Sequence, residues 1–359
     1  MSGLAGPKLG ALRAALRRAE AGGLLVSDAV NMRYLAGSSD ASWVLVTGRT
    51  AAVMPFGLSE HAFRSSLWAP WRVLKPGEVW KALEGLLRAD RVVRLAYEAH
   101  RLSVTGERDL RRRLRTIALP VPTTGLVEGV RETKTAVELA VMKRAGAITG
   151  EMAVRLPRML RPGMTEREAA VMIDCAMRRM GADGPGFETI MLFGPKTALP
   201  HGRPGDVRLK PGSLVLVDFG ARVDGYQSDC TRVFVCGRPT ARQSATYLRV
   251  LKAYRSGRRM VGPGVAAGAV DRAARAALGK MSVRFIHGLG HGVGLEIHEG
   301  PRLAMGVKAP LCRGQVVTVE PGVYWPGWGG FRIEDTVLVT ASGHRSLTGE
   351  PPSRLTSTG

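Results

Sequence analysis

The stretch LVLVDFGARVDGYQSDCTRVFV, residues 214–235, decides how this chain arranges its chemistry. Two runs of alternating apolar residues flank the dipeptide Asp224-Gly225, which is typical of a two-residue β-hairpin turn. If that turn forms, Asp218 lies opposite Thr231 on the paired strand. The sequence therefore predicts an antiparallel hairpin with an acid in the middle of its first strand.

The predicted hairpin brings two carboxylates together. Asp229 is two residues from Thr231, so its side chain points to the same face as Asp218. Diagonal neighbours on one face of a strand pair lie roughly 7–8 Å apart at the backbone. Because two facing carboxylates in a buried sheet repel, either a cation lies between them or one of them is protonated.

Further acids stand in apolar strands near the C-terminus. QVVTVEPG (315–322) is a predicted strand that ends in Glu320 and is stopped by a proline. FRIEDTVLVT (331–340) is a second predicted strand, in which alternation places Arg332 and Glu334 on one face.

The segment HGLGHGVGLEIH (287–298) holds three of the chain's seven histidines. The spacing of His287 and His291 would suit one helix face, but each glycine costs roughly 1 kcal/mol in a helix interior. We therefore expect an extended segment with both histidines on one face and with close backbone contacts at the glycines. A phosphate-binding loop is the alternative, although neither GKS/T nor GxGxxG occurs.

Each of these features alone has an ordinary structural explanation. Together, two aspartates, two glutamates and a histidine in predicted strands form a set of oxygen and nitrogen ligands that suits Mn²⁺, Zn²⁺ or Co²⁺. Four carboxylates can neutralise two divalent ions, so a two-metal hydrolytic site is the natural interpretation.

The organisation of the chain indicates two domains, as its length of 359 residues also suggests. Short β-rich runs alternate with helical patterns near residues 59–68 and 77–89, which predicts a small α/β domain. Two Pro-Gly dipeptides, at 162–163 and 263–264, each precede one amphipathic helix, and Thr165 with Glu168 forms a capping box. This weak repeat predicts an α+β domain of two related halves. The expected division is an N-terminal domain over 1–122, a linker over 123–131, a catalytic domain over 132–350 and a frayed tail over 351–359.

Composition limits the partners and the compartment. The net charge of +22 is compatible with a nucleic-acid partner, but the basic residues are scattered, so we favour a solvated basic surface with no specific nucleic acid. No apolar run has the length of a membrane span, and we see no signal peptide. The four cysteines form no CxxC pair, so we expect reduced thiols and a cytoplasmic protein.

Five segments resemble a known family, the pita-bread metallopeptidases, in both order and spacing. That family includes methionine aminopeptidase, Xaa-Pro aminopeptidase and prolidase. The resemblance covers residues 130–345, and VNMRYLAG (30–37) looks like part of the creatinase/prolidase N-terminal domain. The resemblance implies a C-terminal pita-bread domain with a pseudo-two-fold repeat, preceded by a smaller α/β domain. The matched segments are TALPHG (197–202), VLVDFGARVDGYQSDCTR (215–232), HGLGHGVGLEIHE (287–299), VTVEPGVYWPG (317–327) and GGFRIEDT (329–336).

The resemblance also implies a set of metal ligands. Asp218 would bind one ion, Asp229 and Glu334 would bridge two ions, and His291 with Glu320 would complete the second. The implied cofactor is two divalent ions per chain, with Mn²⁺ favoured over Zn²⁺ or Co²⁺.

The remaining roles concern the substrate. His201 and His298 resemble the histidines that bind substrate and stabilise the tetrahedral intermediate, and Glu320 is also counted as catalytic. His287 and Arg332 match positions that line the proline side of the cleft.

The motifs TALPHG, EPGVYWPG and RIEDT resemble the Xaa-Pro branch of the family, which implies a homodimer acting on proline-containing peptides. We expect a prolidase that cleaves Xaa-Pro dipeptides, with an Xaa-Pro aminopeptidase acting on longer peptides as the alternative. A non-catalytic binding protein and a creatinase-like hydrolase are disfavoured, because relatives of those kinds lack the metal ligands.

Overall fold

The computed structural model describes residues 5–56, 71–75 and 77–358 of the chain. By its internal contacts the chain divides into two units, residues 1–131 and 132–359. The helix predicted near residues 59–68 lies outside the described residues. Within the described residues, no helix combines the length and the apolar character that a membrane crossing requires.

The first unit is built on a six-stranded mixed sheet, whose strands lie in the order Arg72–Val73, Ala51–Pro55, Ala41–Thr47, Gly23–Val26, Arg94–Glu98 and Leu119–Thr123. These strands include the short β-rich runs that the sequence predicts, and they bury an apolar layer beneath the helices. The stretch expected to be a linker instead contains a helix with buried Val127. The elements are α1 (Ala5–Arg18), β1 (Gly23–Val26), α2 (Ala29–Ala36), β2 (Ala41–Thr47), β3 (Ala51–Pro55), β4 (Arg72–Val73), α3 (Val79–Ala89), β5 (Arg94–Glu98), α4 (Val104–Leu114), β6 (Leu119–Thr123) and α5 (Leu126–Arg131).

The second unit repeats one pattern, in which two helices precede a set of strands. Its first half contains α6 (Ala136–Met159), α7 (Glu166–Arg179), β7 (Gly184–Pro185), β8 (Ile190–Phe193), β9 (Leu214–Phe219), β10 (Ala221–Val223), β11 (Tyr226–Gln227) and β12 (Cys230–Cys236). Its second half contains α8 (Ala241–Arg259), α9 (Ala267–Leu278), β13 (Gly290–Gly292), β14 (Glu299–Leu303), β15 (Val316–Val319), β16 (Gly322–Trp325), β17 (Gly329–Arg332), β18 (Asp335–Val339), β19 (His344–Ser346) and β20 (Thr356–Thr358).

Two sheets carry the strands that the sequence analysis singles out. One has the order β20-β12-β9-β8, and the other has the order β14-β13-β15-β18-β19. The predicted capping box is confirmed, because Thr165 accepts from the backbone of Glu168 and the Glu168 side chain bonds back to Thr165. The helices of the first half pack against one apolar cluster, and the helices of the second half pack against another.

The C-terminal residues are not frayed, contrary to the expectation from their polar composition. Thr356–Thr358 forms a strand that pairs in parallel with Cys230–Cys236. Leu355 is buried, and the Tyr247 hydroxyl donates to the carbonyl of Pro352. The end of the chain therefore closes one edge of the four-stranded sheet.

Candidate metal centre and active site

The hairpin at residues 214–235 forms with the predicted register. Asp224 and Gly225 adopt positive φ angles of 47° and 80°, as a tight two-residue turn requires. Asp218 pairs with Thr231 across the strands. Gly220 is needed beside them, because a Cβ atom there would lie 1.7 Å from the carbonyl oxygen of Ser228.

The two C-terminal acids stand where paired strands end. Val319 pairs with Asp335, so Glu320 follows one strand and Glu334 precedes the other on neighbouring strands. Thr336 joins this sheet to the hairpin: its hydroxyl accepts from the Asp229 amide at 2.9 Å and donates to the Asp229 carbonyl at 2.7 Å. The acids of both halves are thereby brought to one place.

The histidine segment is extended, as the glycines predict. Gly290–Gly292 forms a short strand, and a Cβ atom on Gly290 would lie 2.1 Å from the carbonyl of Thr318. The Thr318 hydroxyl accepts from the His291 amide at 3.1 Å and bonds to Glu320 Oε1 at 3.3 Å. One threonine therefore aligns a histidine and a glutamate of the cluster.

One cavity of about 630 Å³ collects every site residue that the sequence analysis named. Apolar side chains, including Phe187, Ile190 and Ile297, line the same space. The named residues are His201, Asp218, Asp229, His287, His291, His298, Glu320, Arg332 and Glu334.

The carboxylates of this cavity repel one another. Burial, followed by the charges of Glu334 and Asp218, raises the pKa of Asp229 well above its usual range. Burial and the neighbouring charges of Glu320 and Asp218 do the same to the pKa of Glu334, and loss of hydration raises the pKa of Glu320 to about 8. The protein alone therefore does not compensate the ionised cluster.

The geometry fits divalent cations. Donor atoms of Asp229, His291 and Glu334 lie within 4.8 Å of one another. His291 Nε2 lies 3.4 Å from Glu320 Oε1, and burial, with the charge of His298 next, lowers the pKa of His291 to about 4, so its ring is neutral. Within the described part of the chain, Oδ1 of Asp218 and of Asp229 are buried without a hydrogen-bond partner. Carboxylate oxygens without a protein partner and a neutral imidazole nitrogen are donors of the kind that bind divalent metal ions.

Arg332 supports the acids. Its Nη2 lies 2.6 Å from Asp218 Oδ2, and its Nε donates to the Thr231 hydroxyl, which donates in turn to Glu334 Oε2 at 2.6 Å. Its Nη1 donates to the Tyr324 hydroxyl at 2.9 Å. All three guanidinium nitrogens are thus engaged inside the protein, although Arg332 does border the cavity.

The sequence analysis missed Tyr324, Thr231 and Arg302 as parts of the site. The Tyr324 hydroxyl lies 2.9 Å from His287 Nε2, while His287 Nδ1 bonds to the carbonyl of Gly288. Tyr324 stands within the quoted motif EPGVYWPG, and Thr231 served only to mark the hairpin register, so only tertiary contacts reveal their roles. Arg302 is an exposed cation at the cavity lining.

Comparison with known proteins places this architecture in a family. Residues 140–341 match metallopeptidase family M24, and residues 8–133 match the creatinase/prolidase N-terminal domain. The chain belongs to metallopeptidase family M24. The predicted pita-bread fold with its smaller α/β domain is thereby confirmed, and family M24 implies divalent metal ions.

Several relatives span nearly the whole chain. The Xaa-Pro dipeptidase of Pyrococcus horikoshii is 33% identical over 330 residues, which cover 90% of this chain and 92% of the relative. The solved structure of a Xaa-Pro dipeptidase from Bacillus anthracis has a TM-score of 0.92 and 30% identity, covering 97% of this chain and 99% of that one. An X-Pro aminopeptidase structure from Thermotoga maritima has a TM-score of 0.86 and 28% identity, with 96% and 99% coverage.

We predict that Asp229→Asn stabilises the metal-free chain. The pKa of Asp229 is raised in the folded chain. Its carboxyl group is therefore harder to ionise in the folded than in the unfolded state, and this lowers the stability of the fold once the pH exceeds 3.8, the ordinary pKa of the group. In excess chelator at pH 8, Tm should rise by at least about 2 °C, the shift that roughly 1 kcal/mol produces in a domain of this size. The gain should vanish as the pH falls below 3.8, the ordinary pKa of the carboxyl group, because the group is then mostly protonated in both the folded and the unfolded state.

Asp224→Asn is the matched control, because it removes the same charge from the exposed turn of the same hairpin. It should leave the metal-free Tm unchanged. A lower Tm for Asp229→Asn in chelator at pH 8 would contradict the electrostatic account of the cluster.

Proposed function

We propose that this chain is a metal-dependent Xaa-Pro dipeptidase, which hydrolyses the bond between the first residue and the proline of a dipeptide. The observation that carries the proposal is the convergence of four carboxylates and four imidazoles, all named from motifs of the Xaa-Pro branch, in one partly apolar cavity. The names of relatives that match nearly the whole chain support the same activity.

Two divalent ions would be held by five residues, of which Asp229 and Glu334 would serve both ions, Asp218 one of them, and His291 and Glu320 the other. Mn²⁺ is the proposed metal, with Zn²⁺ or Co²⁺ as alternatives of similar ligand preference. Bound ions of this kind supply Lewis-acid polarisation of the scissile carbonyl and a water nucleophile at neutral pH. The partnerless oxygens of Asp218 and Asp229 support the assignment.

The histidines bind and stabilise the reacting carbonyl group in this proposal. The His298 ring packs edge-on against the His291 ring at 4.4 Å between centroids, and burial lowers the pKa of His298, so the ring is a neutral donor. His201 lines the same space. Donors aimed at the developing oxyanion typically contribute ~2.7–4 kcal/mol each. Glu320, beside His291, is the proposed acceptor of a proton from water.

Selectivity for proline follows from what its ring changes at the scissile bond, where it removes the amide N–H. A pocket for this bond needs apolar contact rather than a partner for that N–H. Both ring nitrogens of His287 are already bonded, so His287 meets the substrate through its carbon edge. Phe187 and Ile190 add apolar surface to the cavity.

Restriction to dipeptides requires a group that binds the free carboxylate after the proline. Arg302 is the cavity-lining cation best suited to this, because it is exposed, whereas Arg332 is buried and paired with Asp218. The alternative is an aminopeptidase that cleaves longer peptides. The structural similarity to the X-Pro aminopeptidase of Thermotoga maritima supports this alternative.

Two further points of organisation belong to the proposal. We propose a homodimer, which rests on the resemblance to the Xaa-Pro branch. We also propose that residues 132–350 carry the catalysis and that residues 1–122 form the creatinase/prolidase-like domain, and the two family matches support this division.

We predict that the Mn²⁺-loaded chain cleaves Ala-Pro at least tenfold faster than Ala-Ala and does not cleave N-acetyl-Ala-Pro. Acetylation removes the charged amine that would face Asp218, and Ala-Ala lacks the ring that fills the apolar pocket. Product release followed by chromatography measures all three rates. Comparable rates on Ala-Pro and Ala-Ala, or cleavage of the acetylated peptide, would refute the assignment of the pocket.

We predict that Arg302→Met raises KM for Ala-Pro by about tenfold, the lower range for a charge-assisted hydrogen bond. KM for Ala-Pro-amide should change much less, because that substrate carries no carboxylate. Arg313→Met removes the same charge from an exposed position outside the cavity lining and should change neither value. Equal effects of Arg302→Met on both substrates would favour the aminopeptidase.

A further inference from the structure

One buried carboxylate holds both ends of the loop that carries His201. This loop, residues 194–205, follows strand β8 and begins with a 3₁₀ turn over Gly194–Ala198. Glu166 has no exposed surface, and its Oε1 accepts from the amide of Phe193 at 2.8 Å. Its Oε2 accepts from the amide of Gly205 at 2.9 Å.

A lysine completes this arrangement. Lys196 Nζ lies 2.6 Å from Glu166 Oε2 and donates to the carbonyl of Arg203 at 2.7 Å. A buried carboxylate is costly unless it is both paired and hydrogen-bonded, and Glu166 meets both conditions only through this loop. We call the Glu166–Lys196 pair the loop clamp.

The start of helix α7 reinforces the loop clamp. The first amides of a helix lack partners within the helix. Here the Glu166 amide donates to the carbonyl of Val207 at 3.0 Å, and the Arg167 amide donates to the carbonyl of Gly205 at 3.1 Å. Gly205 therefore both donates to and accepts from the same helix end.

The opposite side of the loop is tied to strand β17. Arg332 Nη1 donates to the carbonyl of Pro200 at 3.2 Å, and the Thr197 hydroxyl accepts from the amide of Gly330 at 2.9 Å. His201 follows Pro200 directly, so its backbone lies between the loop clamp on one side and Arg332 on the other.

We propose that Glu166, paired with Lys196, is a positioning residue that sets His201 against the reacting carbonyl. Glu166 acts through the loop and is not among the residues that line the cavity. The inference rests on the proposed function in one respect, the role of His201 in turnover. Misplacement of a positioned group by about 1 Å can cost roughly 100-fold in rate, so a clamp remote from the chemistry can control it.

Glu168 provides a matched control within the same helical turn. It is exposed, and its carboxylate bonds only to the amide and hydroxyl of Thr165, in the capping box. Glu166→Gln and Glu168→Gln therefore make the same change of charge and size two residues apart, but only the first reaches the loop.

The test combines hydrogen exchange with kinetics on Ala-Pro. Glu166→Gln should accelerate amide exchange across residues 193–205 and lower kcat by about 10- to 100-fold, with metal content by elemental analysis unchanged. Glu168→Gln should change neither exchange in that segment nor kcat. Lys196→Met should reproduce the effects of Glu166→Gln, and Lys196→Arg should restore most of the protection; these two variants decide the matter if Glu166→Gln does not fold.

A second background separates positioning from general destabilisation. In His201→Ala, Glu166→Gln should cause no further loss of kcat while still accelerating exchange. The same fold-loss in both backgrounds, or normal exchange and kcat in Glu166→Gln, would overturn the inference. Normal turnover by His201→Ala alone would instead refute the role of His201 in the proposed function, and the exchange data would still decide whether Glu166 holds the loop.

Discussion

The mutual repulsion of four carboxylates in one cavity is the constraint on which the rest of this structure depends. Asp218, Asp229, Glu320 and Glu334 come from two sheets, and burial raises the pKa of three of them. Such a cluster is stable as an ionised group only with cations between its members. The polar groups around it, which include Thr336 and Arg332, align the carboxylates without neutralising all of them.

The supports of the site extend outward in layers of hydrogen bonds. Threonine hydroxyls hold the backbone and carboxylates of the proposed metal ligands, and Arg332 joins Asp218 to Tyr324 and to the carbonyl of Pro200. The loop clamp then fixes the far side of the His201 loop. Groups that act on charge in a transition state need this rigidity, because their benefit depends on being oriented before the reaction.

Local patterns explain how much of this site the sequence predicts. The Asp224-Gly225 turn determines the register that pairs Asp218 with Thr231. The single strand predicted over 331–340 is wrong, because Gly329–Arg332 and Asp335–Val339 pair in two different sheets and Glu334 lies between them. The resemblance to the family motifs supplies the remaining proposed ligands. Each of these patterns lies within a short segment of the chain, so it can be recognised in a single sequence.

The unpredicted contacts join residues that are distant in the chain. Asp218 and Arg332 are 114 positions apart, and Glu166 and Gly205 are 39 apart. No periodicity links such positions. The polar residues 356–358 likewise show no strand pattern in the sequence. They form a strand because they pair with the edge of the distant strand Cys230–Cys236.

Calorimetric titration of Mn²⁺ into the chelator-treated chain tests the central claim most directly. We expect two ions to bind per chain. We also expect protons to be released to the buffer, because the carboxyl groups with raised pKa values are partly protonated without metal. The heat should therefore depend on the ionisation enthalpy of the buffer. A chain that binds no divalent ion, or that binds a single ion without proton release, would contradict the account.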